Sequence, residues 1–247
     1  MITFMRAFIR LSVFAAVFSI GFGPQAALAG GTIKGKITLE GAAPAPEVET
    51  VSADKKADCH AGPAKITLNN LLVSEGGGVK NFVVSLTAEG KKGTPKSVIF
   101  DQKGCLFLTP VLVVPTGSKV TMKNSDPGSH NIRTSTIFNA AINLTLASGE
   151  TKDYELKAAE AVKVNCDIHP WMNAAIVAVD TDIYTLTNEN GEFEIKDVPA
   201  GDYKFKAWHP VLGKAKSKDQ APKTVTIKDG ETVEVIIKKK PKKKKKK

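Results

Sequence analysis

The chain has 247 residues, with 35 Lys and Arg against 25 Asp and Glu and a formal charge of +10, a length that suits one large or two small domains. The excess charge sits at the ends: Arg6 and Arg10 near the start, and nine lysines in the terminal run "KKKPKKKKKK" (Lys238 to Lys247), which leaves 24 basic and 25 acidic residues between them. The body is therefore not a basic protein, and no specific nucleic-acid partner is expected of it.

Arg6 and Arg10 lead into an apolar run of thirteen residues, Leu11 to Gly23, and the small residues Ala27 to Ala29 follow. This reads as a secretory signal over residues 1–29, cut after Ala29. The run is short for a membrane span, and no other segment has the length and apolarity to cross one. A periplasmic or extracellular location is expected, with no transmembrane segment in the mature chain.

From Gly31 onward the pattern is β. "GTIKGKITLEG" alternates around Ile33 and Ile37, a Pro- and Ala-rich loop follows, and "VKNFVVSLTAEG", "KSVIFDQ", "TPVLVVPTG" and "SKVTMKNS" are short runs parted by Gly, Pro, Asp and Asn. "EAVKVNC" alternates strictly, so Val162, Val164 and Cys166 share one face and Cys166 points inward at a strand end. "NAAIVAVD" makes one more strand. Beyond residue 180 three turn signals separate strand pairs: Asn190-Gly191, Pro199-Ala200-Gly201 and Asp229-Gly230. An all-β fold of two sandwiches is expected, a first domain over residues 30–180 and a smaller one over 181–237, with a disordered poly-lysine tail over 238–247.

Export permits disulfides, and three cysteines leave one unpaired. Cys59 and Cys105 both sit beside turn-like Gly residues and are the expected pair. Cys166 is then reserved for something else. In "VKVNCDIHPWMNA" Cys166, His169 and Met172 are three residues apart, a thiolate, an imidazole and a thioether on one loop, and soft sulfur selects copper over magnesium or calcium. A blue-copper centre needs a second imidazole. Of the four histidines, His130 in the turn-rich "KNSDPGSHNIR" is the obvious donor, whereas His60 and His209 read as a solvated loop residue and a structural or exposed residue.

The upstream "SHN" followed by "CDIHPWM" resembles the type 1 copper site of the cupredoxins, the short loop being most similar to that of amicyanin. The resemblance covers roughly residues 31–180 and implies a Greek-key sandwich with His130, Cys166, His169 and Met172 as ligands of one copper ion. It also implies that Asn131 ties the two ligand loops together from behind the ligands. The pattern from Asn190 to His209 is similar to the carboxypeptidase regulatory-like domain, a prealbumin-like sandwich expected to be structural.

These readings make the expected function single-electron transfer between redox partner proteins, with no substrate bond made or broken and hence no enzyme activity. A copper-handling protein and a surface structural module are the alternatives. Pro170 and its neighbours are expected to form an apolar apron around a protruding His169 edge, with Trp171 packing on the sandwich end. The lysine tail is a candidate contact for an anionic surface or an acidic partner.

Overall fold

The computed structural model describes residues 30–43, 45, 47–50, 59, 65–68 and 71–240. The leader, His60 and the tail beyond Lys240 lie outside the described residues. The described residues form strands and one 3-10 turn, Ser217–Asp219, and are all-β. No helix among them is long and apolar enough to cross a membrane.

One sandwich packs a three-stranded sheet, ordered Thr151–Glu155, Lys119–Asn124, Ser97–Gln102, against a five-stranded one. The latter is ordered Val111–Pro115, Asn173–Val179, Ala161–Asn165, His130–Ser135, Asn143–Leu146. Alternation drives the packing: in Lys119–Asn124, Val120, Met122 and Asn124 point inward while Lys119 stays in solvent. Val120 and Met122 join Phe100, Ile132, Leu146, Val162, Val164 and Ile176 in one core, where each large apolar side chain removed from water contributes about 1.5–3 kcal/mol.

The second sandwich does not begin at residue 181. Gly31–Leu39 pairs in parallel with Thr232–Lys239 and antiparallel with Glu192–Val198. Val83–Thr87 pairs with Tyr184–Leu186 and with Gly201–His209. Ile33, Ile37, Val84 and Leu86 accordingly share a core with Phe193, Tyr203, Phe205, Ile227 and Ile237. The boundary expected at residue 180 is corrected: the early strands belong with the late ones. An alternating strand states that it needs a partner but does not say which, and here the partner lies at the far end of the chain.

The two sandwiches meet back to back. Val83, Val111, Val177 and Val179 pack together with Val113, Ala161, Tyr184, Leu186 and Trp208 as a further cluster. Val83–Thr87 and Asn173–Val179 are thereby covered on both faces, so that four successive residues of the first (83–86) and five of the second (175–179) are buried.

The expected turns form, but the strands they join separate. At Asn190-Gly191, Gly191 takes a positive φ of 73° and its N–H donates to the Asn188 carbonyl at 3.0 Å. The strand before the turn stays with Val83–Thr87 and the strand after it crosses to Gly31–Leu39. The Asp229-Gly230 turn likewise joins a strand paired with Gly201–His209 to one paired with Gly31–Leu39. These are corners of a sandwich rather than hairpins. The lysine tail also starts later than expected: Lys238 and Lys239 end the strand Thr232–Lys239, and buried Lys239 donates to Asp219 Oδ2 and to the Lys214 carbonyl, both at 3.0 Å.

Candidate metal centre

Ala161–Asn165 runs antiparallel to His130–Ser135, with Asn165 opposite Arg133. That register sets the loop after Asn165 beside the start of the neighbouring strand, at His130. The approach to His130 is shaped by Asn124, fully buried, whose amide donates to the carbonyls of Gly128 (2.8 Å) and Leu146 (3.0 Å) while its Oδ1 accepts the Asp126 N–H at 2.9 Å. An Asn side chain folding its own downstream backbone is the local cause of this turn. The loop after Asn165 is closed by the Cys166 N–H to the Met172 carbonyl (3.1 Å) and the Met172 N–H to the His169 carbonyl (2.9 Å). Asn131 joins the two segments: its Oδ1 accepts the Asp167 N–H at 3.2 Å, and its Nδ2 donates to Asn143 Oδ1 and the Leu144 carbonyl.

His130, Cys166 and His169 are thereby brought together, all buried, with one donor atom of each within 4.8 Å of the others. His130 Nδ1 lies 3.0 Å from His169 Nδ1, and Cys166 Sγ lies 3.8 Å from His169 Nδ1. Two nitrogens each about 2.0–2.1 Å from one ion stand roughly 3.0–3.6 Å apart, and a sulfur at about 2.3 Å stands slightly farther off. The spacings fit a shared ion, and a donor set of one thiolate and two imidazoles fits copper. Met172 is buried in the same core as Cys166, with its backbone bonded to both Cys166 and His169.

The electrostatics favour the ligand form of the thiol. Burial works to raise the Cys166 thiol, but the His130 and His169 rings, with the Asn131 and His169 backbone, outweigh it and bring it down to about 6. For His130, burial opposes the cation, while Cys166 and Asp126 support it and hold the ring above the ordinary imidazole range. Without metal the pair leans towards thiolate and imidazolium.

The ring nitrogens that point away from this cluster are engaged. His130 Nε2 contacts Asp126 Oδ2 at 2.8 Å, both side chains being fully buried. The same carboxylate accepts the N–H groups of Gly104 (2.7 Å) and Cys105 (2.9 Å). Asp126 thus holds His130 so that Nδ1 is the atom turned towards Cys166 and His169, an arrangement that orients a metal-binding imidazole. Sequence reasoning passed over it. The signal that was present is an acidic residue four positions before the proposed ligand, in a loop beginning with Asn.

His169 does not protrude. It is fully buried, and its Nε2 meets Cys105 Sγ at 3.6 Å. Cys105 is bonded to Cys59, leaving Cys166 as the free cysteine. Trp171 closes the other side, its ring 5.1 Å from that of His169 and its Nε1 donating to the Cys105 carbonyl at 3.0 Å. The expected exposed edge is therefore corrected: the loop is short, and the disulfide fills the place where solvent would reach the ring. Pro170 is exposed beside it. His209 lies in the other sandwich, buried against Phe82, its Nδ1 accepting the N–H groups of Val211 (3.1 Å) and Leu212 (3.3 Å).

No protein-family model matches the chain, and no curated protein matches it. Among solved structures, a Cu-containing nitrite reductase from Thermus scotoductus SA-01 is 22% identical over 38% of this chain and 25% of its own, with a TM-score of 0.32. The chain thus spans about a quarter of that protein. A purple cupredoxin from Nitrosopumilus maritimus is 21% identical over 34% of this chain and 99% of its own, with a TM-score of 0.29. Amicyanin from Paracoccus versutus is 17% identical over 39% of this chain and 97% of its own, with a TM-score of 0.32. A reductase stands among these neighbours, at a likeness that argues neither for nor against a reaction here, and the expectation that this chain is no enzyme is withdrawn.

Proposed function

We propose that this chain is an exported copper protein that carries single electrons, in which His130 Nδ1, His169 Nδ1 and Cys166 Sγ would hold one ion and the Met172 thioether would be a weak further donor. The observation that carries the reading is the convergence of those three buried donor atoms within 4.8 Å, at the end of a packed sandwich. A copper ion bound there supplies a one-electron couple. Cys166 provides a thiolate at neutral pH, since its thiol is brought down to about 6. Asp126 keeps the His130 ring turned, Asn131 keeps the two loops in register, and burial keeps water away. The packed sheets limit how far the donors can move when charge changes.

The test is electron paramagnetic resonance and visible absorption of the copper-loaded, oxidised protein. A strong thiolate-to-copper band with a type 1 signal is expected, both disappearing in Cys166→Ser. Loading that yields no thiolate band would overturn the reading. A band accompanied by slow electron self-exchange would instead favour copper handling.

The proposal extends to the basic tail, read as a tether to an anionic surface or an acidic partner. Because Lys239 is buried against Asp219, truncation has to begin after Lys240. The shortened chain should bind vesicles containing anionic lipid more weakly than the full chain at low salt, with the difference fading above about 0.1 M, where the screening length is about 10 Å. Equal binding at every ionic strength would remove the tether.

A further inference from the structure

The Cys59–Cys105 disulfide lies within the metal centre's surroundings, and Cys105 touches them at three points. Its Sγ faces His169 Nε2 at 3.6 Å. Its N–H donates to Asp126 Oδ2, the oxygen that also meets His130 Nε2. Its carbonyl accepts from Trp171, whose ring lies against His169. One residue is thus linked to both ligand histidines, each through the nitrogen or ring edge that faces away from the donor cluster.

Cys105 is also held in a conformation it would not keep unaided. It has a φ of 54°, and Gly104 before it has a φ of 65°. A non-glycine residue in the left-handed region persists only where its surroundings impose it. Here the bond to Cys59 and the Asp126 carboxylate, which accepts two successive N–H groups, are what impose it. Both sulfurs are buried, Cys59 at 1% exposure and Cys105 at 0%, so the disulfide is packed into the core rather than fastened across its surface.

We propose that Cys105, fixed by its bond to Cys59, is a positioning residue of the metal centre that seals the His169 ring from solvent and, through Asp126, holds the His130 ring in place. Reduction by a dithiol reagent undoes this. Two electrons from the two reagent thiols break the S–S bond, the reagent closes its own disulfide, and the two protons end on the sulfurs of Cys59 and Cys105. Cys105 is then free to leave positive φ, and the cover over His169 Nε2 opens. The consequence for metal retention rests on the copper reading above, but the sealing of His169 does not.

The experiment has two arms. In the metal-free chain, histidine ring modification by diethyl pyrocarbonate is read residue by residue by mass spectrometry, for the wild type, for Cys59→Ser/Cys105→Ser, and for wild type treated with dithiothreitol. His169 should be protected in the wild type and modified at least about tenfold faster in the other two, while His209 in the second sandwich stays protected in all three. The dithiothreitol sample covers the case in which the double variant fails to fold. In the copper-loaded chain, affinity for Cu(I), read by competition with a calibrated chelator, should fall by about ten- to a hundredfold once the disulfide is gone, the range typical of losing a group that orients a ligand. His169 equally protected with and without the disulfide would overturn the proposal. So would His209 opening in step with His169, because the bond would then be an ordinary cross-link of the whole fold. A chain that never shows a thiolate-to-copper band removes the copper reading alone, and the metal-free arm still decides the seal.

Discussion

The two sandwiches bury ionisable side chains to opposite ends. In the second, buried His209 and Lys239 are matched by their own surroundings: His209 Nδ1 accepts two backbone N–H groups, and Lys239 meets Asp219 and a carbonyl. In the first, two imidazoles and a thiol are turned towards one another, Nδ1 facing Nδ1 at 3.0 Å. Two like ring nitrogens at that distance share at most one proton between them, and under the copper reading proposed above a bound ion would take that proton's place. Burial of a histidine therefore identifies nothing by itself. Convergence of side-chain donors on one point, with their far sides already fastened, separates a site from a satisfied core.

The comparison can be broken at its structural end first. Lys239→Ala should cost about 3–5 kcal/mol of stability, because it leaves the Asp219 carboxylate buried without its cation, and should leave copper binding unchanged. Denaturant unfolding and metal titration of the same variant check both halves. A stability loss below about 1 kcal/mol would make the pair no more than a surface bridge.

Asp126→Ala should act the other way. It removes the acceptor for His130 Nε2 and for two loop amides, and metal affinity should fall by about ten- to a hundredfold, with Asp126→Glu restoring part of it. Competition against a calibrated chelator reads this directly. Affinity unaltered in Asp126→Ala would mean that the Cys166 loop alone orients the site.

The smallest effect concerns pH in the metal-free chain. Cys166 is depressed to about 6, below an ordinary thiol near about 8.5. Its contribution to stability is then complete above the unfolded value and is lost as pH falls through about 6. His130 is raised, so its contribution is present below the ordinary imidazole value and fades as pH rises through its folded one. Ultraviolet thiolate absorbance of the metal-free protein should therefore titrate near 6, and a midpoint near that of an ordinary thiol would show that the two rings do not support the thiolate.

Much of this architecture can be read before any coordinates. Period-two alternation marks Val162, Val164 and Cys166 as one inward face, and all three are buried. The three-residue spacing sets Cys166, His169 and Met172 on one loop, and the Gly-containing turns stand at the reversals of the second sandwich. What could not be read is partnership. Gly31–Leu39 pairs with a strand about two hundred residues away, and the Asn190-Gly191 turn parts its strands between two sheets. The same blindness hid Asp126, whose side chain has a role only once Cys105 and His130 lie on either side of it, and it hid the burial of His169, which depends on a sulfur 64 residues away.

By itself, then, the sequence determined the local terms: which residues alternate, where the chain turns, and which soft donors stand close together along it, because each depends on neighbours within a few bonds. Tertiary structure alone decided which strands share hydrogen bonds, which nitrogen of each histidine is left facing the thiol, and that a disulfide rather than solvent meets His169. Those outcomes depend on groups far apart in the chain competing for the same donors, acceptors and buried space, and no local pattern records who wins.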